Sequence, residues 1–155
     1  MREIKFRGFE LDLKQWVYGG YHKHIKRQIC SIGDSLKEED IQHLIIVDGF
    51  ADWNMPRGIQ VATNVDKNSI GQFTGLKDKN GREVYEGDVV RGFDRPAVIK
   101  IGHVHNEKNS IYGVFAEWVK YGLVEAQYID RIYKTDYIEV VGNVYENPEL
   151  LEVEQ

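Results

Sequence analysis

The stretch Gly71-Gln72-Phe73-Thr74-Gly75-Leu76-Lys77-Asp78-Lys79-Asn80-Gly81-Arg82-Glu83-Val84-Tyr85-Glu86-Gly87-Asp88-Val89-Val90 decides how this chain folds. At its centre, Asp78-Lys79-Asn80-Gly81 separates residues of strand character. Asn-Gly in that setting is a strong hairpin signal, because both residues tolerate positive φ. A calcium loop fails on spacing: the glycine follows Asn80 directly, whereas an EF-hand sets three oxygen ligands at alternate positions before it. Gly75, Gly81 and Gly87 stand where turns need an open φ, Asp78 and Asn80 shape the hairpin, and Tyr85 and Val89 face a core. The Glu83, Glu86 and Asp88 carboxylates are read as turn and solubility acids.

Downstream of this stretch the apolar residues keep a period of two, which is the period of strands. After Val89-Val90-Arg91 the chain breaks at Gly92-Phe93-Asp94-Arg95-Pro96, and a strand runs from Ala97 to His105. The polar run from Asn106 to Ser110 turns it into a return strand, Ile111 to Val119, with Tyr112, Val114, Ala116 and Trp118 on one face. Val124 to Tyr133 makes a fourth strand. In a fifth, Ile138, Val140, Gly142 and Val144 alternate against Glu139 and Asn143. Asn147 and Pro148 then start a single helical turn as N-cap and first helical residue. Five short strands joined by tight turns suit a small barrel, which removes exposed edges. An SH3-like barrel is expected, with an OB-like barrel in a single α+β domain as the alternative.

Upstream, Ile4, Phe6 and Gly8 alternate with charged residues, and Trp16-Val17-Tyr18 before Gly19-Gly20 makes a second strand. Ser35 and Glu38 have capping-box spacing, which predicts a short helix or 3₁₀ turn over Ser35–His43. Leu44-Ile45-Ile46-Val47 and Gly58-Ile59-Gln60-Val61 are strand candidates. The chain is therefore expected to be mainly β, with two small, closely packed domains: 1–72 with a short helix, and 73–155 with the hairpin and barrel.

The 155 residues are 42% hydrophobic and 12% aromatic, which excludes a disordered chain. One cysteine excludes an internal disulfide framework. No apolar run approaches the ~18 residues of a membrane helix, and the charged start is not a signal peptide. A cytoplasmic chain with no membrane association is expected. Residues 1–72 hold ten Lys/Arg and ten Asp/Glu, and residues 73–155 hold ten and fifteen, so the second part carries the whole net charge of −5.

Two His-x-His pairs, His22/His24 and His103/His105, could each turn two imidazoles to one metal from one strand face. No third ligand can be assigned to either, and structural roles are the preferred reading. Cys30 lies near Lys26 and Arg27, but its neighbour Ile29 favours a partly buried thiol. No nucleophile elbow, phosphate loop or dinucleotide fingerprint exists. A non-enzymatic chain with no catalytic residue, metal or cofactor is expected. The abundance of tyrosine and tryptophan favours binding a protein, either a second copy or another partner. Nucleic acid is the competing partner class. Lys77, Lys79, Arg82 and Arg91 would then meet the phosphates of a single strand, although acids alternate with these bases and weaken the field.

The stretch from Gly71 to Val90 also resembles the signature of the YopX family of phage and prophage proteins, which reads Gln-aromatic-Thr-Gly-Leu-x-Asp-x-Asn-Gly-x-Glu-x-Tyr-Glu-Gly-Asp. Arg2-Glu3-Ile4-Lys5-Phe6-Arg7 is similar to the family's opening, and Val141-Gly142-Asn143-Val144-Tyr145-Glu146-Asn147-Pro148-Glu149-Leu150-Leu151 to its close. Before the signature the family often reads Asp-Pro-Glu-Thr, where this chain has Asp66-Lys67-Asn68-Ser69. The resemblance implies a bacterial or phage cytoplasmic protein with two β-rich domains, the second SH3-like. It implies no activity, catalytic residues or cofactor.

Overall fold

A computed structural model describes residues 3–27, 35–48, 60–105, 110–120, 123–129 and 136–151. Eleven strands and three 3₁₀ turns occur among them, with no α-helix. The α+β alternative with an OB-like barrel is thereby corrected: the β-branched and aromatic runs prefer the pleated surface of a sheet. The chain forms two compact units, Ile4–Ile70 and Gly71–Gln155, the second also including Met1–Glu3.

In the first unit, β1 (Phe6–Glu10), β2 (Gln15–Ile25), β3 (Ile41–Asp48) and β4 (Gln60–Asn64) run in the order β4-β3-β2-β1. Each neighbouring pair is antiparallel. Ile45 and Val65 are buried. Phe9 and Trp16 meet edge to face across the β1–β2 hairpin at 5.5 Å. Of the short helix or 3₁₀ turn expected over Ser35–His43, the structure has the 3₁₀ turn, confined to Glu38–Asp40, and His43 lies in β3. Its cap is also different. The Asp40 carboxylate takes the Lys37 N–H at 3.0 Å and the Arg27 guanidinium at 2.8 Å, while Ser35 offers Arg27 only its carbonyl. The run Ile41-Gln42-His43-Leu44-Ile45-Ile46 pairs residue for residue with β2, and that outweighs continuing the helical turn.

A second 3₁₀ turn, Lys67–Ser69, closes this unit. Asp66 accepts the Asn68 N–H at 2.8 Å, and the buried Ser69 hydroxyl accepts the Phe9 N–H at 2.7 Å. Lys67 and Asn68, where the chain departs from Asp-Pro-Glu-Thr, are exposed and carry their side chains outward. The acidic cap and the hydroxyl, which hold the turn, are both retained.

In the second unit, β5 (Gly71–Lys77) pairs with β6 (Glu83–Tyr85). Between the pairs Phe73↔Tyr85 and Lys77↔Glu83 the register slips. Thr74 fills the bulge: its hydroxyl donates to Val84 O at 2.7 Å and accepts the Leu76 N–H at 3.1 Å. Five further strands, β7 (Asp88–Arg91), β8 (Ala97–His105), β9 (Ser110–Lys120), β10 (Leu123–Tyr128) and β11 (Glu139–Asn143), form one antiparallel sheet. Its order is β10-β9-β8-β7-β11. The described pairings leave β10 and β11 as the sheet's two ends, so closure into a barrel is not among them.

The core of this unit gathers Leu76, Val84, Val90, Ala97, Ile99, Val114, Ala116, Ile129, Ile138 and Val140. Val114 and Ala116 lie on the inward face of β9 as expected, whereas Tyr112 runs past the end of the core and is 60% exposed. A second correction concerns β11. The register shifts between Val140 and Gly142, so Asn143 is buried and Val144 is 37% exposed, the reverse of strict alternation. One extra residue on one strand turns every later side chain to the other face. The buried Asn143 earns its place by accepting the Tyr145 and Glu146 N–H groups at 3.0 and 2.9 Å, which starts the turn leading to Pro148–Leu151.

Asp78 is buried and joins the hairpin to the last strand. Its Oδ1 accepts the Asn80 and Arg82 N–H groups at 2.8 and 2.9 Å, and its Oδ2 accepts the Val140 N–H at 3.1 Å. Asp78→Ala strips all three donors of their acceptor at once. We expect a loss of about 2–4 kcal/mol in urea unfolding, given ~1–3 kcal/mol per orphaned buried group and partial rehydration of the loop donors. Asp78→Asn, which keeps one acceptor oxygen, should lose distinctly less. Equal losses would show that the carboxylate does not anchor the hairpin.

Candidate functional site

The hairpin residues singled out from the sequence fall into two groups. Asp78, Tyr85 and Asp88 point inward, Tyr85 at 2% and Asp88 at 0% exposure. Asp88 Oδ2 accepts the Tyr85 N–H at 2.8 Å, and the Tyr85 hydroxyl donates to Glu83 at 2.7 Å while its ring packs on Phe73 at 5.4 Å. Gly75, Gly81 and Gly87 have φ of 78°, 82° and 82°. Asn80 does not use positive φ, contrary to the expectation for a tight Asn-Gly turn. The turn is longer: the Gly81 N–H bonds Asp78 O at 2.9 Å, and only the glycine takes the left-handed region. The hydrogen bonds of these inward side chains run to backbone N–H groups and to Glu83, which is the chemistry of a scaffold.

Lys77, Lys79, Arg82 and Arg91 are all exposed. Three of them have a carboxylate close at hand. Lys77 stands opposite Glu83 in the β5–β6 register, and Arg91 stands opposite Glu139 in β7–β11. Lys79 Nζ lies 2.7 Å from Glu139 Oε2. The Lys79 hydrogen bond and charge, helped by the Asn80 side chain, hold Glu139 below the usual carboxylate range. The four cations therefore form part of a mixed surface with a weak net field.

Among the described residues, His22, His24 and His103 do not converge on further ligands. His22 and His24 are exposed on β2 with ring centroids 6.1 Å apart. His103 packs on Tyr112 at 4.8 Å, and its Nδ1 is 3.2 Å from Ser110 Oγ. Among the described residues, no group of three or more His, Cys, Asp or Glu comes together. Cys30 and the His105 side chain lie outside the described residues.

A concave site instead forms at one end of the five-stranded sheet. Because Arg91 ends β7 opposite Glu139 at the start of β11, the flanking residues Phe93 and Tyr137 are brought side by side. Their rings meet edge to face at 6.5 Å. Trp118, from β9, also stacks on Phe93, at 5.4 Å with an interplanar angle of 22°. Gly92 permits this approach: its φ is 127°, and a Cβ there would lie 2.6 Å from the Tyr137 carbonyl oxygen. Gly92, Phe93, Asp94, Trp118, Gln127 and Tyr137 line a cleft of about 230 Å³. Glu125, across from Trp118 on β10, accepts the indole N–H at 3.1 Å and fixes the ring.

Of these residues, the sequence had placed Phe93 beside a chain break and Trp118 on a barrel face, and Tyr137 carried no signal of its own. An aromatic in each of two breaks, at Gly92–Pro96 and just before the fifth strand, was visible. Their adjacency depends on the β7–β11 pairing.

The fold and cleft define a mainly β protein of antiparallel sheets with an aromatic surface cleft. A family model described as "YopX protein" matches residues 5–152, and the chain belongs to the YopX family. No curated protein matches it. Among solved structures it is similar to the crystal structure of protein EF1440 from Enterococcus faecalis, with 23% identity over 98% of this chain and 100% of that one and a TM-score of 0.37.

A carboxylate held below its ordinary range stabilises the folded state above the glutamate range near ~4.3, and that contribution fades as pH falls through the lowered value. Replacing Lys79 with Met should therefore raise the Glu139 titration midpoint, read from its side-chain carboxyl resonance. It should also remove the matching part of the acid-side loss of stability. An unmoved midpoint would mean that the Lys79–Glu139 pair does not persist in solution.

Proposed function

We propose that the protein is a non-enzymatic, phage- or prophage-type cytoplasmic binding module whose second unit, an SH3-like barrel in connectivity, takes a segment of a partner protein in the Phe93–Trp118–Tyr137 cleft. The observation that carries this reading is three aromatic rings gathered at one end of a sheet on loop and strand residues, one of them Tyr137 at 43% exposure. Aromatic residues around a shallow recess supply large contact area at small entropic cost, and they concentrate at protein interfaces. The strand order β11-β7-β8-β9-β10 supports the SH3-like assignment, since it is a meander whose last strand returns beside its first. The cleft carries this reading, because one fold serves many functions.

Single-strand nucleic-acid binding through Lys77, Lys79, Arg82 and Arg91 is the competing reading. The carboxylates beside three of these cations count against it. Self-association draws on the exposed apolar side chains Ile111, Tyr112, Val124 and Tyr128 of β9 and β10, β10 being an edge of the described pairings.

Capture from bacterial lysate on the tagged full chain, with and without nuclease, separates these readings. A protein retained after nuclease, kept by a variant with all four cations reversed to Glu and lost in Tyr137→Ser, is the expected result. Material lost on nuclease treatment or on charge reversal would overturn it in favour of nucleic acid. Light scattering that gives a multimer, with no foreign protein captured, would overturn it in favour of self-assembly.

A further inference from the structure

The cleft has a size and charge that narrow its occupant. Small-molecule and cofactor sites usually enclose ~300–1,000 Å³. At about 230 Å³, and open to solvent, this one is closer to the volume of a single long side chain. Its walls hold three aromatic rings: Trp118 and Phe93 stacked, with Tyr137 edge-on to Phe93. Its polar groups include acceptors. Asp94 lines the cleft, Glu125 lies at the indole edge of Trp118, and Gln127 adds an amide carbonyl. Among the described residues, no Lys or Arg lines the cleft. Aromatic faces attract a cation through their quadrupole, and flanking carboxylates add to that attraction. Between the two basic side chains, a planar guanidinium both stacks on a ring and offers several N–H donors in its plane to carboxylates, whereas an ammonium stays a strongly hydrated point charge.

We propose that the cleft formed by Phe93, Trp118 and Tyr137 takes the guanidinium of an arginine displayed by the partner protein, with Asp94 and Glu125 receiving its N–H groups. The assignment rests on the protein-binding reading above and names the chemistry that the reading leaves open. The ring of Trp118 is pre-set by its bond to Glu125, so little order has to be imposed on binding. The arginine slides over the ring, and its donors meet the carboxylate already at the indole edge. A neutral side chain of the same shape gains the stacking area but not the charge.

The test follows the Trp118 indole N–H resonance of the full chain, assigned by its loss in Trp118→Phe. The probes are acetyl-arginine-methylamide, its neutral isostere acetyl-citrulline-methylamide, and acetyl-triproline-amide. Saturable displacement by the arginine probe, at least about tenfold weaker binding of the citrulline probe, and a similar loss in the Asp94→Asn/Glu125→Gln double variant are expected, since contacts to charged groups carry ~1.5–3 kcal/mol. Both substituted carboxylates are on exposed residues, and an otherwise unchanged spectrum of the double variant confirms its fold. Equal binding of citrulline, or undiminished arginine binding by the double variant, would overturn the assignment. Displacement by triproline alone would overturn the arginine assignment while leaving the cleft as a peptide site. No displacement by any probe would count against both readings.

Discussion

The Asp78 carboxylate is the interaction on which the second unit depends. Its two oxygens take backbone N–H groups from Asn80 and Arg82 in its own turn and from Val140, sixty-two residues further along the chain. Beside it, the Lys79 N–H bonds Ile138 O at 3.0 Å, so the turn lies against β11 through backbone on both sides. A short hairpin alone is marginal in water. Docked on the last strand, it shares the core of Leu76, Val84, Ile138 and Val140. An acidic residue buried at such a point is favourable because every donor it faces is otherwise an orphan.

This arrangement explains why a sequence signature so strong carries so little reactive chemistry. Thr74 fills a bulge, Asp78 and Asp88 bind backbone N–H groups, and Tyr85 is nearly enclosed. The exposed aromatic cleft lies elsewhere. Phe93 and Tyr137 lie in connections outside the ladder, and Trp118 reaches the same end of the sheet from β9. Rigid strands thus carry a recess whose walls belong mostly to the connecting segments, a common division of labour between scaffold and binding surface.

Much of the architecture was legible because strand period and turn chemistry act over a few residues. The strands over Ala97–His105 and Ile111–Val119, the turn at Asp78–Gly81 and the Asn147-Pro148 start of a helical turn all follow from local preference. Where long-range pairing competes with local preference, the local signal misleads. Ser35–His43 has capping spacing, yet His43 joins β3 because the ladder against β2 extends to Ile41. Strict alternation in the last strand fails at one bulge, which buries Asn143 and exposes Val144. In the first unit, Ser69 supports Phe9 across sixty residues, a bond no window of sequence contains.

By itself the sequence determined that the chain is mainly β, where its turns fall, and that it belongs with proteins bearing the Gly71–Val90 signature. It did so because period-two hydrophobicity, glycines at turns and acids that cap backbone are short-range demands, met within a few bonds. Only the tertiary structure decided which residues stand together at the surface. Phe93, Trp118 and Tyr137 are tens of residues apart in sequence, and they become one cleft because β7 pairs with β11 and β8 with β9. The β7–β11 pairing put Glu139 opposite Arg91, and docking of the Asp78–Gly81 turn on the last strand put it beside Lys79, turning a run of bases into a mixed surface. Sheet pairing is a property of the whole fold, and the site is its consequence.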